Sequence, residues 1–223
     1  MTQPRKACII VTNMDADKQT LRSLREENIR LKDKTQDLQT EVDRLRQIIH
    51  ALNTLQYNID AITPDTDVLA LIYNILSAAI EAIGSNDGSL LLLDTDEEQL
   101  VFVEVIGIGS EQLIGFRIPS NEGIAGWVLT NKSPTIVPNV RQDARWSPSV
   151  DEAISFRTAA LICVPLLDDE RPLGVIEVLN PLSGGPFCIE DLDILSLIAR
   201  LASLALVRAE EVGAADKEKD PTP

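Results

Sequence analysis

Histidine is almost missing from this chain: its one imidazole, His50, stands beside Ile49 in a helix-forming stretch. A single distant histidine cannot complete a Ser-His-Asp set, and nothing after residue 60 offers haem iron an imidazole. Its expected place is a solvated position on a helix. Cysteine is nearly as scarce. Cys8, Cys163 and Cys188 are odd in number and show no CxxC spacing, which argues against a disulfide framework and against a zinc site. That usage fits a reducing cytosol. Long apolar runs are lacking too. Ala7–Val11 is too short for a signal-peptide core, and no run approaches the roughly 18 apolar residues of a membrane-crossing helix. A soluble, cytoplasmic protein is expected. Finally, positive charge is thin where it would matter. Residues 1–60 balance 10 basic against 9 acidic side chains, leaving 10 basic and 26 acidic ones for residues 61–223. Such an acidic body repels phosphate backbones and anionic lipid, so nucleic acid and membrane are excluded as partners.

What is present begins with a seven-residue repeat. Leu24, Leu31, Leu38, Leu45 and Leu52 recur one heptad apart as d positions, and Leu21, Asn28, Thr35, Val42 and Ile49 fill the a positions. The 3.5-residue period keeps one seam turned toward a partner helix. Leucine at d with β-branched Val42 and Ile49 at a favours two parallel strands, and Asn28 can pair with its own copy across the seam. Glu27 would face Lys32 of the second copy, and Glu41 would face Arg46. A parallel homodimer is therefore expected, with Leu24, Asn28, Leu31, Leu38, Val42, Leu45, Ile49 and Leu52 at its interface. A DNA-binding zipper is excluded, because Val11–Thr20 carries one basic residue, Lys18, where a basic helix would be required.

The rest reads as one α/β domain. Thr63-Pro64-Asp65 ends the long helix, and the spacing predicts a helix over Val68–Ile83, stopped by Gly84-Ser85-Asn86-Asp87-Gly88. Two strands, Ser89–Leu93 and Leu100–Ile106, form a half-buried hairpin, with Val101, Val103 and Val105 alternating against Phe102, Glu104 and Ile106. Pro119–Glu122 offers polar capping residues to a short helix over Gly123–Asn131. Thr135–Val137 is a brief strand, and a polar stretch from Asn139 to Phe156 has helical potential around Val150–Ile154. Ala159–Leu167 and Leu173–Leu179 make a second hairpin, and a helix from Ile189 to Val212 closes the domain. Its apolar stripe is wide enough for the sheet and for a second subunit together. The expected segments are a disordered or extended 1–14, a coiled coil over 15–62, a domain over 63–212 and a disordered tail over 213–223.

Five motifs in order carry a family resemblance. They are Asn121-Glu122-Gly123-Ile124-Ala125-Gly126-Trp127-Val128; Ser133–Val140 followed by Asp143-Ala144-Arg145-Trp146; Arg157–Leu166; Gly174–Asn180; and Phe187–Asp191. Together they resemble a GAF domain over residues 65–208. The resemblance implies an α+β fold: a central antiparallel sheet with the first and last helices on one face and a small-molecule pocket on the other. It also implies a sensory or regulatory role in signal transduction, passed to a separate signalling protein. The Cys-His pair that attaches bilins in the family is absent. The late pattern of its cyclic-nucleotide members is incomplete, with Asn180 and Phe187 matching, Pro181 in place of lysine, and Glu190-Asp191 reversing the acidic pair. Cyclic nucleotide thus stays open as a ligand, and no cofactor is expected.

The loop from Asp143 to Thr158 concentrates cation, aromatic surface and hydroxyl. Trp127, Asp143, Arg145, Trp146, Phe156, Arg157, Thr158 and Glu177 are the candidate pocket residues. Arg157 could hold a carboxylate or phosphate, Trp146 could stack on a planar ring, and Gly123 and Gly126 could let backbone amides approach an anion. Two alternatives compete. One is a ligand-free dimerisation scaffold whose aromatics are core. The other is an enzyme like those small GAF proteins that reduce free methionine sulfoxide with loop cysteines. The second is disfavoured, because Cys163 lies mid-strand and Cys188 is flanked by Phe187, Ile189 and Glu190.

Overall fold

A computed structural model describes the backbone of residues 5–219, and the side chains of residues 18–213 apart from Asn58. Cys8 and the far ends of the chain fall outside the described side chains. The first helix, α1, spans Arg5–Asp60. The extended or disordered 1–14 is thus corrected from residue 5 onward, since neither glycine nor proline interrupts the sequence between Pro4 and Pro64. The chain divides into two compact units, residues 1–46 and 47–223.

In the first unit Leu21, Leu24, Leu31, Leu38, Val42 and Leu45 are all exposed, so the heptad seam is an unpartnered apolar stripe. Its charges pair along the helix: Glu27 lies 3.6 Å from Arg30 and Asp43 lies 3.2 Å from Arg46.

The second unit begins at Gln47, earlier than the expected residue 63. The reason lies in the pattern of burial. Ile48, Leu55, Ile59 and Ile62 are buried in the domain's own core, and Leu52 packs against it, whereas Ile49 stays exposed. Leu52 is therefore a packing residue of the domain and not the last rung of the seam. The next helix, α2 (Val68–Ile83), is fixed at both ends. The Asp67 carboxylate accepts from the Leu69 and Ala70 amides at 3.0 and 3.2 Å, and Gly84 takes the left-handed conformation (φ 74°) that lets its N–H reach Ile80.

Six strands follow, all antiparallel, in the order β3-β2-β1-β6-β5-β4. They are β1 (Asp87–Asp94), β2 (Gln99–Ile106), β3 (Arg117–Pro119), β4 (Thr135–Val137), β5 (Leu161–Asp168) and β6 (Arg171–Leu179). Interspersed are α3 (Ser110–Leu113), α4 (Gly123–Asn131), a 3-10 turn at Val140–Gln142 and α5 (Ser149–Ile154). The closing helix α6 covers Ile189–Lys219, so residues 213–219 continue a helix where a disordered tail was expected. Gly213 alone, followed by Ala214-Ala215, is too weak a breaker to stop it.

Strand alternation sorts the side chains into two layers. Leu90, Ile162, Val164, Leu166, Ile176 and Val178 face α2 and α6, while Leu91, Leu161, Cys163 and Val175 face α4. A bulge breaks the simple alternation of β2. Leu90 pairs with Glu104 and Leu91 with Phe102, leaving Val103 as the extra residue. Phe102 and Val105 consequently fall on the α4 face together, although the sequence placed them on opposite sides.

At the centre of the sheet, Gly174 lies between Leu92 of β1 and Leu166 of β5, and a Cβ there would run into the Leu91 carbonyl. Gly174→Ala is expected to cost roughly 2–3 kcal/mol by forcing β1 and β6 apart. Urea unfolding of the full chain checks this, and a midpoint equal to wild type would contradict it.

Candidate functional site

The α4 face of the sheet is not closed by apolar packing alone. A cavity of about 110 Å³ lies there, walled by β1, β2 and β6, by the start of α4, and by the 146–158 segment. That is room for several waters or a compact organic molecule.

Its floor is a polar row across three strands. Ser89 of β1 pairs with Glu177 of β6, and Glu177 pairs with Cys163 of β5. The Ser89 hydroxyl donates to Glu177 Oε2 at 3.4 Å, and the buried Cys163 thiol donates to the same carboxylate. Glu177 is half-buried in the cavity lining, and burial pushes its carboxyl up to about 7. Burial, with the Glu177 charge beside it, drives the Cys163 thiol far up as well. Cys188 is also raised, by desolvation and by donating its thiol to Asp191 at 3.1 Å. Neither cysteine has the lowered thiol pKa of a nucleophile.

The roof is held by one buried carboxylate. Asp151, in α5, accepts from the Thr158 hydroxyl at 2.7 Å and from the Thr158 amide at 2.9 Å. Asn180 completes the clasp from the end of β6. Its side chain accepts from the Ala159 amide at 2.8 Å and donates to the Arg157 carbonyl at 3.1 Å. The rest of the incomplete nucleotide-type pattern is structural too. Phe187 is buried in the core beneath α2 and α6, and Asp191 accepts from the Cys188 amide at 2.8 Å at the start of α6.

Of the eight candidate pocket residues, Trp146, Phe156, Thr158 and Glu177 line the cavity. Trp127, Asp143, Arg145 and Arg157 do not. Arg145 makes a paired contact with Asp143, Nε to Oδ1 at 2.9 Å and Nη2 to Oδ2 at 2.7 Å, and its guanidinium lies 4.4 Å over the Trp127 ring. Those contacts hold it as a brace between the loop and α4, with Nη2 reaching Thr135 at 3.4 Å. Arg157 points its side chain to solvent. Gly126 also serves packing: a Cβ there would meet the backbone of Ser120 and Asn121. The helix starts after Glu122, within the expected Pro119–Glu122 stretch, and no side chain makes a cap hydrogen bond there.

Sequence reasoning missed Ser89, Phe102, Glu122 and Asp151 as lining residues. Ser89 had a readable signal, a lone hydroxyl opening an otherwise apolar strand. Phe102 had none, because its orientation follows from the bulge.

A family model of the GAF domain matches residues 65–207. The chain is 25% identical over 169 residues to a dual 3',5'-cyclic-AMP and -GMP phosphodiesterase 11A of Takifugu rubripes, covering 71% of this chain and 19% of that protein. It is 24% identical over 187 residues to a probable 3',5'-cyclic phosphodiesterase of Caenorhabditis elegans, covering 78% and 25%. The chain therefore spans a quarter or less of the length of these relatives. Among solved structures, the GAF domain of a phosphoenolpyruvate-protein phosphotransferase from Coxiella burnetii superimposes with a TM-score of 0.65 at 16% identity, over 76% of this chain and 98% of that one. A free methionine-R-sulfoxide reductase from Neisseria meningitidis gives 0.60 at 22% identity, over 74% and 90%. At these identities the likeness establishes the fold.

The raised Glu177 carboxyl makes stability depend on pH. Below the unfolded-state value near 4.5 both states are protonated and the residue costs nothing. Between 4.5 and 7 the unfolded state gives up its proton while the folded state keeps it, so stability falls across that window and levels off above 7. Glu177→Gln should therefore stabilise the protein at pH 8 by roughly 1–3 kcal/mol, with the gain shrinking toward pH 4.5. Urea titrations at pH 5 and pH 8 measure it, and a gain independent of pH would refute the assignment.

Proposed function

The chain belongs to the GAF family, and from that premise we propose that it is a non-catalytic sensory module. It takes a small molecule into the cavity beneath residues 146–158 and acts as a parallel homodimer joined through α1. The observation that carries the reading is the cavity itself. Here a mostly apolar lining with a few polar groups encloses open volume, and its roof is clasped by a buried carboxylate, Asp151. Occupation of that space would favour one arrangement of the roof segment. Because β6 carries Glu177 on one face and packs Ile176 and Val178 beneath α2 and α6 on the other, the bias reaches the helical layer. Cytoplasmic residence and a separate signalling protein as recipient belong to the same reading.

The dimer rests on the exposed stripe from Leu21 to Leu45, too long and too regular for a helix that keeps company only with water. The wide apolar coverage of α6, including exposed Leu197 and Leu204, offers further surface to a second copy. A catalytic reading finds less support, since neither Cys163 nor Cys188 has an activated thiol.

Two measurements on the full chain test this. Methyl-detected NMR screening of small molecules should yield saturable shifts at Ile124, Val150 and Ile154. Arg157→Ala should leave them intact and Ala125→Leu, which fills the cavity from the α4 wall, should remove them. Native mass spectrometry should show a dimer that the pair Leu31→Lys and Leu38→Lys weakens about a hundredfold or more. A monomeric wild-type chain would end the dimer part of the reading.

A further inference from the structure

Among the described residues, every ionisable side chain lining the cavity is a carboxylate: Asp87, Glu122, Asp151 and Glu177. No lysine, arginine or histidine is among them. The two guanidiniums of the 143–158 loop are engaged elsewhere, Arg145 by Asp143 and Trp127 while Arg157 faces solvent. The aromatic content points the same way. The chain has only 4 phenylalanines, 2 tryptophans and 2 tyrosines, yet Phe102, Trp146 and Phe156 all line this one cavity. Carboxylates attract a cation directly, and aromatic faces attract it through the ring quadrupole, most strongly where water is excluded. An anion would meet both as repulsion.

From this convergence we propose that the cavity recognises a small organic ammonium ion, with its charged head at Glu177 and Asp151 and its apolar body against Phe102, Trp146 and Phe156. The proposal rests on the sensory reading above and adds the charge class of the ligand. Geometry gives the head a place. Glu177 stands at the middle of the polar row, its carboxylate accepting from Ser89 at 3.4 Å and from the Cys163 thiol, and Asp151 accepts one hydrogen bond on each oxygen, leaving acceptor capacity on both.

Binding is also linked to protons. The ionisable groups around Glu177 are Asp87 of β1, Cys163 of β5, Asp151 of α5, Glu122 ahead of α4, and Arg145 beyond Cys163. With the Glu177 carboxyl near 7 in the free protein, an arriving ammonium must displace its proton. Affinity therefore rises as pH is raised from 6 to 8.

The test is a matched series on the full chain, pentylammonium, pentanol and pentanoate, together with cyclic AMP and cyclic GMP, followed by methyl NMR at pH 6, 7 and 8. Pentylammonium should bind about ten- to a hundredfold tighter than pentanol, with no shifts from pentanoate. Its affinity should increase with pH in the wild type and lose that dependence in Glu177→Gln. Tighter binding of pentanoate or of a cyclic nucleotide would overturn the charge class and leave the sensory reading standing. No cavity shifts from any of the five would overturn both.

Discussion

The central constraint is the register that sets Ser89, Glu177 and Cys163 side by side across β1, β6 and β5. Antiparallel pairing makes that row unavoidable once the outer alternation is satisfied, because the neighbours Leu90, Ile176, Val178 and Ile162 must face α2 and α6. A one-residue slip would drive the carboxylate into the apolar layer. The polar row and the hydrophobic core are thus two consequences of one register. The glutamate stays where it is despite a cost in desolvation because moving it would cost the whole helical layer.

Around this row the structure separates two jobs that an arginine- and aromatic-rich loop might have been expected to combine. Holding the loop falls to Asp143 with Arg145 and Trp127, to Asp151 with Thr158, and to Asn180 across the strand end. Lining the cavity falls to aliphatic side chains such as Val105, Ile124 and Ile154, joined by Phe102, Trp146, Phe156 and the carboxylates. A paired guanidinium–carboxylate contact satisfies both partners locally, so Arg145 has little left to offer a ligand. The resulting space is apolar with acidic groups as its only ionisable ones among the described residues, in a domain that is itself strongly acidic.

Much of this was legible beforehand. The limits of α2, α4 and β4 follow from caps, glycines and prolines that act within a few residues, as do both hairpins. The five ordered motifs carried the family. Less legible were α3 and β3, whose few residues show no period, and the reach of α6, where a helix outlasted a polar tail. Of the candidate residues, Trp146, Phe156, Thr158 and Glu177 line the cavity, while Arg157, Arg145, Asp143 and Trp127 lie outside its lining. Residue type says what a side chain can bind. It does not say which of several nearby partners it meets first.

The sequence by itself determined most of the elements, the two-sided sheet and the heptad repeat, because helix caps, strand alternation and heptads are short-range or periodic signals written along the chain. Only the tertiary structure decided that Ile48, Leu55 and Ile59 turn inward on the domain, that the Val103 bulge brings Phe102 and Val105 to one face, and which acids and aromatics join the aliphatic walls of the cavity. Each of these depends on residues far apart in sequence competing for the same space, and that competition is settled by packing.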